Sequence, residues 1–432
     1  MDLQNIAEKT LNKAKASGSD KALVSVSSTM AKEFNVEANK LTLLRTTFDQ
    51  TLGLKTLVDQ RQSTISGNQF TEDAASQLAT HAVAAAKASP QDEANGFAPS
   101  QGHKKFSFGN TEVNEEWMYA RLRELLDERK KLFPKVIIEG STIKFLKTDR
   151  LLMTSEGTVL NSSQSHYEGF VMFTAKEGVK SSSFNYIGFH IGADEAGKPI
   201  SLMRTCGLSD LLGQCSEQLH VQKVPANFEG DLILTPHCLE EFAGAWKSYL
   251  GSGRMLKKSS FFEGKLGEKV ASSSWTLTSN PVDSPFATRR FWTSDGYLTK
   301  NETIFENGVL KRYLLDHYSA TKLKQAVSQS EGDYLKLAPG KSSLKDMIAS
   351  VKKGVLMCRY SAGAPAENGD VSGVAKNSYF IEDGAIKYPL GETMVTANFS
   401  KLLNEVKDIS RETLTSGYWE MPWVRFSGVN VS

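Results

Sequence analysis

Few side chains in this sequence are spaced for chemistry, and the most suggestive fall in one stretch, Thr235–Val270 (TPHCLEEFAGAWKSYLGSGRMLKKSSFFEGKLGEKV). His237, Glu240 and Glu241 spell HxxEE, one histidine short of the inverted zinc motif HxxEH. Acidic residues early in a helix also complement its dipole, so the pattern has a purely structural explanation as well. The seven histidines (His81, His103, His166, His190, His220, His237, His317) are dispersed, and no two stand three or four residues apart. No GxSxG occurs. Ser319-Ala320-Thr321-Lys322 and Ser342-Ser343-Leu344-Lys345 both satisfy SxxK, a pattern loose enough to arise by chance. Cys358 closes an apolar run, Val355–Met357, where a thiol is an ordinary small core residue. Gly251–Ser260 has the glycines and the Lys-Ser pair of a phosphate loop, but it follows a helix and its spacing is wrong.

The helix that carries HxxEE is the firmest element. Thr235 suits an N-cap and Pro236 the first helical position. Leu239, Phe242, Ala243, Trp246 and Leu250 recur at three- and four-residue steps as one apolar stripe, and Gly251 is expected as a left-handed cap. An amphipathic helix is expected at the amino terminus, with Leu3, Ile6, Ala7, Leu11 and Ala14 on one side. A meander follows, with segments at Ala22–Ser28, Glu33–Phe48, Thr51–Val58 and Gln62–Phe70, then a helix over Ala74–Lys87. Pro90–Lys105 is polar and rich in turn formers, the best internal linker of the first half. A long helix is expected from Thr111 to Phe133, with Met118, Leu122, Leu125, Leu126 and Leu132 inward and a charge run including Arg121, Glu124 and Arg129 outward. Strands are expected at 136–138, 141–146, 151–153, 158–162 and 166–175, and a helix over Gly207–His220. Beyond it, Ser294-Asp295-Gly296, Glu306-Asn307-Gly308 and Glu382-Asp383-Gly384 carry hairpin chemistry, broken by helices over Ser343–Lys352 and Asn398–Val406.

A chain of 432 residues exceeds one ordinary core, so two domains are expected, 1–220 and 221–432. The fold class is α+β: antiparallel sheets with packed helices, the second domain mainly β and barrel-like. A net charge of +2, with Lys and Arg spread evenly, gives no footprint for nucleic acid or an anionic membrane. No run of about 18 apolar residues occurs. The amino terminus lacks the apolar core of a signal peptide, and four cysteines without a CxxC suit a reducing compartment, so a cytoplasmic protein is expected.

The last stretch with a specific signal is Ser361–Asn398, where Gly369-Asp370-Val371-Ser372-Gly373 leads into a hairpin through Asp383-Gly384 and then Tyr388-Pro389-Leu390. With the 235–251 helix and the segment SSFFEGKLGE, it resembles the TldD/PmbA (TldE) family, whose closing signature is GDxSxGAxGxxIExGxIxYPVxE; the match lapses at Ala375-Lys376-Asn377-Ser378. In that family the TldD-type subunit holds its metal with a His-Glu-x-x-x-His motif on the matching helix, and the PmbA/TldE-type subunit does not. Gly244, Ala245 and Tyr249 fall at the three motif positions, and none can ligate zinc as an imidazole does or act as a general base. The resemblance therefore implies a metal-free, PmbA/TldE-like subunit with no cofactor of its own, zinc being expected only in a TldD-like partner. It implies pairing with that partner, a homodimer when alone, and action of the complex on unstructured peptides. Gly369, Asp370, Ser372 and Gly373 are candidates for a peptide groove, since glycines beside an exposed strand let another backbone approach. Lys257, Lys258 and Ser259 are candidates for a loop that closes the groove or meets the partner; an ordinary solvated connection is the competing reading. The family's label as a modulator of DNA gyrase finds no support in the composition. A stand-alone peptide-binding homodimer and a hydrolase with an unrecognised site stay open.

Overall fold

A computed structural model describes residues 2–109, 112–195, 198, 200–282 and 286–432. Helix α1 (Leu3–Ala16) is capped by the Asp2 carboxylate, which accepts from Asn5 N–H, and buries Ile6, Ala7 and Ala14. A meander of β1 (Lys21–Glu37), β2 (Lys40–Val58) and β3 (Arg61–Gly67) leads to α2 (Glu72–Ala88). Then come β4 (His103–Phe108), α3 (Glu115–Leu132), β5 (Val136–Thr154), β6 (Val159–Glu177), β7 (Lys180–Ser181), β8 (Asn185–Gly192) and α4 (Leu208–Glu217). Their sheet runs β3-β2-β1-β5-β6-β4, with β7 and β8 also on β6. All pairs are antiparallel except β4 with β6.

The strands are longer than the sequence suggested. The expected segment Glu33–Phe48 is split by a tight turn at Ala38 and Asn39, both at positive φ, and the expected breaks at 147–150 and 163–165 lie inside single 19-residue strands. Those breaks are polar because the sheet has two differently covered faces, so polar residues alternate with core residues instead of marking turns. On one face α1 and α2 pack on Val24, Val26, Leu52, Leu54, Leu151 and Met153, while α3 and α4 pack farther along on Ile143, Phe145, Tyr167, Val171, Phe173, Ile187 and Phe189. The other face is turned toward the second half of the chain.

Two details of α3 differ from expectation. It begins at Glu115, after the Asn114 cap, and Thr111 lies outside the described residues. Leu132 is exposed, whereas Arg129, expected on the outer face, is buried and donates to Val136 O at 3.0 Å, because the helix end tucks under the start of β5. The 90–105 segment is packed at Ala94, Phe97 and Ala98, and its last residues enter β4.

The second half is a large curved sheet around one helix. Its elements are β9 (Phe228–Leu234), α5 (Pro236–Leu250), α6 (Ser252–Leu256), β10 (Leu277–Ser279), β11 (Glu302–Glu306), β12 (Val309–Leu310), α7 (His317–Leu323), β13 (Leu335–Leu337) and α8 (Leu344–Ala349). They are followed by β14 (Lys353–Met357), β15 (Arg359–Ala362), β16 (Asp370–Lys376), β17 (Tyr379–Glu382), β18 (Ala385–Pro389), β19 (Thr393–Asn398), α9 (Phe399–Leu402), β20 (Val406–Thr415) and β21 (Glu420–Val431). The main path is β12-β11-β10-β13-β21-β9-β14-β17-β18, and β15, β16 and β19 extend it through β21. Pairing is antiparallel except for β9 with β14 and β13 with β21. Asn307-Gly308 and Asp383-Gly384 turn their hairpins at paired positive φ, whereas Ser294–Gly296 turns a short excursion closed by a single bridge, Trp292 to Leu298. Gly251 is not a left-handed cap: at φ −83° it is extended and starts α6, so α5 ends by a redirected chain. The helix expected over Asn398–Val406 is one turn, because Val406 enters β20.

Thr235 caps α5 through Cys238 N–H, and the expected stripe is buried. Trp246, 1% exposed, is its centre: the indole donates to Phe399 O at 3.0 Å and its ring meets Phe242, Trp275 and Phe399 within 6.0 Å. Trp246→Ala removes this packing and leaves the Phe399 carbonyl unmet, so it should cost ~3–5 kcal/mol. The shift of the denaturant midpoint measures it.

Candidate functional site

Burying one stripe of α5 dictates where its polar residues go. His237, Glu240 and Glu241 face a cleft of ≈ 250 Å³ whose opposite wall is β8 (Tyr186, Gly188, His190), with Arg359 at one end and Ser416, Tyr418 and Trp419 at the other. His237 Nε2 lies 3.4 Å from Cys206 Sγ, and its ring stands edge-on to Trp419. Burial pushes His237 down to about 4, so it is a neutral imidazole at neutral pH. Burial and the neighbouring Glu240 raise Glu241 to about 7, against the pull of Arg359 and a hydrogen bond from Tyr186. Burial also raises Glu240, offset by Lys247. Two carboxyls, Glu240 half-buried and Glu241 exposed at the surface, thus stand beside a half-buried imidazole, and both hold their protons more tightly than free carboxyls.

The first sheet supplies the second group. Alternation along β6 puts Tyr167, Gly169 and Val171 toward the helices and His166, Glu168 and Phe170 toward the cleft side. On β8 the same alternation turns Tyr186, Gly188 and His190 that way, and Glu168 stands directly opposite His190 in the ladder. One nitrogen of His166, one of His190 and one oxygen of Glu168 lie within 4.8 Å of one another, the two rings stacked at 5.6 Å. Burial, then His190 and Arg150, lower His166 to about 3; burial lowers His190 to about 4. Nδ1 of each ring is buried and meets no hydrogen-bond partner among the described residues. Leaving such a nitrogen unmet costs ~1–3 kcal/mol. The 416–419 turn holds His190 from behind: His190 N–H donates to Ser416 O at 2.5 Å, and a Cβ on Gly417, at φ +80°, would fall 2.1 Å from His190 O. Only glycine fits there.

The positions singled out in the sequence lie elsewhere. Gly244 is exposed on α5 with open space beside its Cα, Ala245 is half-buried, and Tyr249 is buried, its hydroxyl donating to Ala366 O at 2.6 Å. No donor at these positions fits a metal ion. Tyr249 does join α5 to the loop before β16, so this part of the helix and the closing segment meet. A Cβ on Gly369, at φ +90°, would fall 3.0 Å from Ser400 N, and one on Gly373 would fall 2.5 Å from Ala362 Cβ; both glycines serve the chain's own packing. Asp370 accepts from Asn368 and Asn398, and Ser372 pairs with Thr396, all at the surface. Lys257 and Lys258 are exposed just after α6, Ser259 donating its N–H to Arg254 O. HxxEE belongs to the cleft. His166, Glu168 and His190 do not stand at helical spacing; His-x-Glu on a strand, two residues apart and on one face, is the signal the sequence carries for the first two.

Comparison with known proteins follows the same lines. Residues 229–432 match the family model described as PmbA/TldA metallopeptidase C-terminal domain. A metalloprotease PmbA homolog of Buchnera aphidicola is 23% identical over 248 residues, 55% of this chain and 51% of that one. The metalloprotease PmbA of Escherichia coli O157:H7 is 25% identical over 223 residues, 49% of this chain and 45% of that one. The chain thus spans about half the length of these curated relatives. The crystal structure of TldE from Thermococcus kodakarensis superposes with a TM-score of 0.83 at 17% identity, covering 99% of this chain and all of that one, a likeness of fold.

The Glu241 carboxyl gives a pH signature. Its folded value of about 7 lies above the ordinary 4.5, so between those limits the folded protein holds the proton more tightly than the unfolded chain, and this group's contribution favours folding at low pH and is lost as pH rises. Glu241→Gln should remove that loss. The melting temperature of the variant should gain on the native protein from pH 5 to pH 8, and parallel profiles would refute the assignment.

Proposed function

We propose that this chain, a member of the TldD/PmbA family, is a non-catalytic PmbA/TldE-like subunit that pairs with a TldD-like metallopeptidase and helps enclose unstructured peptides for cleavage. The observation that carries the reading is α5. The helix keeps its cap, its stripe and its buried aromatic core, while Gly244, Ala245 and Tyr249 offer neither a metal ligand nor a general base. In such a pair the partner supplies the metal, which polarises the scissile carbonyl. This chain supplies walls and backbone. β15 pairs with β16 alone among the described residues, leaving its other edge open beside exposed Ser361 and Ala362, the setting for an extended peptide to add as a strand.

The reading carries further proposals. Residues 1–220 and 221–432 are treated as two units, since no β-ladder joins their sheets among the described residues. No helix among the described residues is long and apolar enough to cross a membrane, which accords with a cytoplasmic site of action. An obligate interface of about 2,000 Å² or more would leave apolar surface exposed in the isolated chain and favour a homodimer that exchanges for the partner.

Mixing decides the matter. Sedimentation should show the chain self-paired alone and hetero-paired once a TldD-like subunit is added, with hydrolysis of an unfolded peptide only in the mixture. Hydrolysis by this chain alone, or a monomer indifferent to the partner, would overturn the proposal.

A further inference from the structure

We infer that His166, Glu168 and His190 form a binding site for a divalent first-row transition cation of the zinc class, on the face of β6 and β8 where His190 borders the cleft. The inference departs from the expectation of a chain without a metal of its own. It does not depend on the subunit role, since it concerns a different element from α5.

Two imidazoles and one carboxylate are the donor set such ions take, whereas magnesium and calcium favour all-oxygen shells. The three donor atoms lie within 4.8 Å of one another, and donors around one zinc ion stand ~3–4 Å apart, so the side chains need to close by about 1 Å. They project from paired strands, Glu168 opposite His190 and His166 opposite Gly192, so the ladder fixes their separation. The rings are stacked, and the buried Nδ1 atoms of both histidines have no protein partner among the described residues, a polarity that the surrounding fold leaves unmet.

Two cations oppose the site. Lys144 Nζ lies 3.8 Å from Glu168, but also 3.7 Å from Glu33, so it has a carboxylate to turn to when a metal takes Glu168. Arg150 lies near enough to lower the basicity of His166, which weakens the site without removing a donor. Three protein ligands leave a coordination position for water or a substrate oxygen.

The test uses the full chain, stripped with chelator and titrated with zinc chloride by calorimetry and with cobalt chloride by visible absorption. One equivalent of each ion should bind, with a cobalt d–d band. His190→Ala and the near-isosteric Glu168→Gln should each weaken binding by ~100-fold or more, beyond the ~10–100-fold of losing an outer partner. His237→Ala, which removes the other imidazole of the cleft, should leave affinity unchanged. Circular dichroism checks that each variant is folded. No uptake by the folded native chain, or uptake that survives both His190→Ala and Glu168→Gln, or is lost in His237→Ala instead, would overturn the site. Neither result bears on pairing with a TldD-like subunit.

Discussion

Side-chain alternation along β6 is the constraint on which the polar architecture rests, because this strand lies at the crossing of the first sheet. It pairs with β5 along most of its length, with β4 at one end and with β8 at the other. Slipping it by one residue would drive His166 and Glu168 into the helical core and expose Tyr167 and Val171. Packing forbids the slip. The Tyr167 hydroxyl accepts from Asn114 N–H at the start of α3, and Phe189 lies across Gly169 so closely that a Cβ there would fall 2.2 Å from the ring. One glycine and one tyrosine thus lock the register that sends the two polar side chains toward the cleft.

The second half closes over that face through a segment with little regular structure. Trp292 and Leu298 pack against Leu23, Leu57, Leu152 and Leu160, and the Phe291 ring stacks on Phe106 at 4.6 Å. Lys55 pairs with Asp295, Arg289 N–H donates to Gln164, and Tyr318 donates to Asp92. These contacts bring α5 up to β8 and drain water from the space between, and that desolvation holds His237 and His190 neutral and raises Glu240 and Glu241. Burial is the first cause of each of these shifts, and Glu240 adds to that of Glu241 from the same helix.

Helix α5 therefore serves two surroundings. Its first turns present His237, Glu240 and Glu241 to the cleft, while Tyr249 near its end reaches the loop before β16 and meets Arg254 and Phe261 with its ring. A helix with this cap and this buried stripe is a rigid platform on which side chains could be exchanged without disturbing the core. In this chain the outward positions at 244 and 245 hold a glycine and an alanine.

The sequence by itself determined those features that depend on local chemistry. The Thr235-Pro236 start of α5 and its apolar stripe, and the Asn307-Gly308 and Asp383-Gly384 hairpins, were legible, because a cap, a 3.6-residue period and a positive φ are satisfied within a few residues. The motif at Gly369–Gly373 was legible too, though its glycines meet Ser400 and Ala362 of the chain itself. Tertiary structure decided the rest. Strand lengths differ because the polar residues of β5 and β6 occupy alternate positions of a continuous ladder instead of ending it, and Arg129 lies inward because its partner is a carbonyl beyond the helix end. His166, Glu168 and His190 are separated in sequence and joined by a ladder whose register is set by Gly169 against Phe189, a contact that exists only once the sheet has formed. The physical reason is range: a turn or a cap is a contract among neighbours, whereas a site assembled across strands and closed by another half depends on packing that no local window of residues contains.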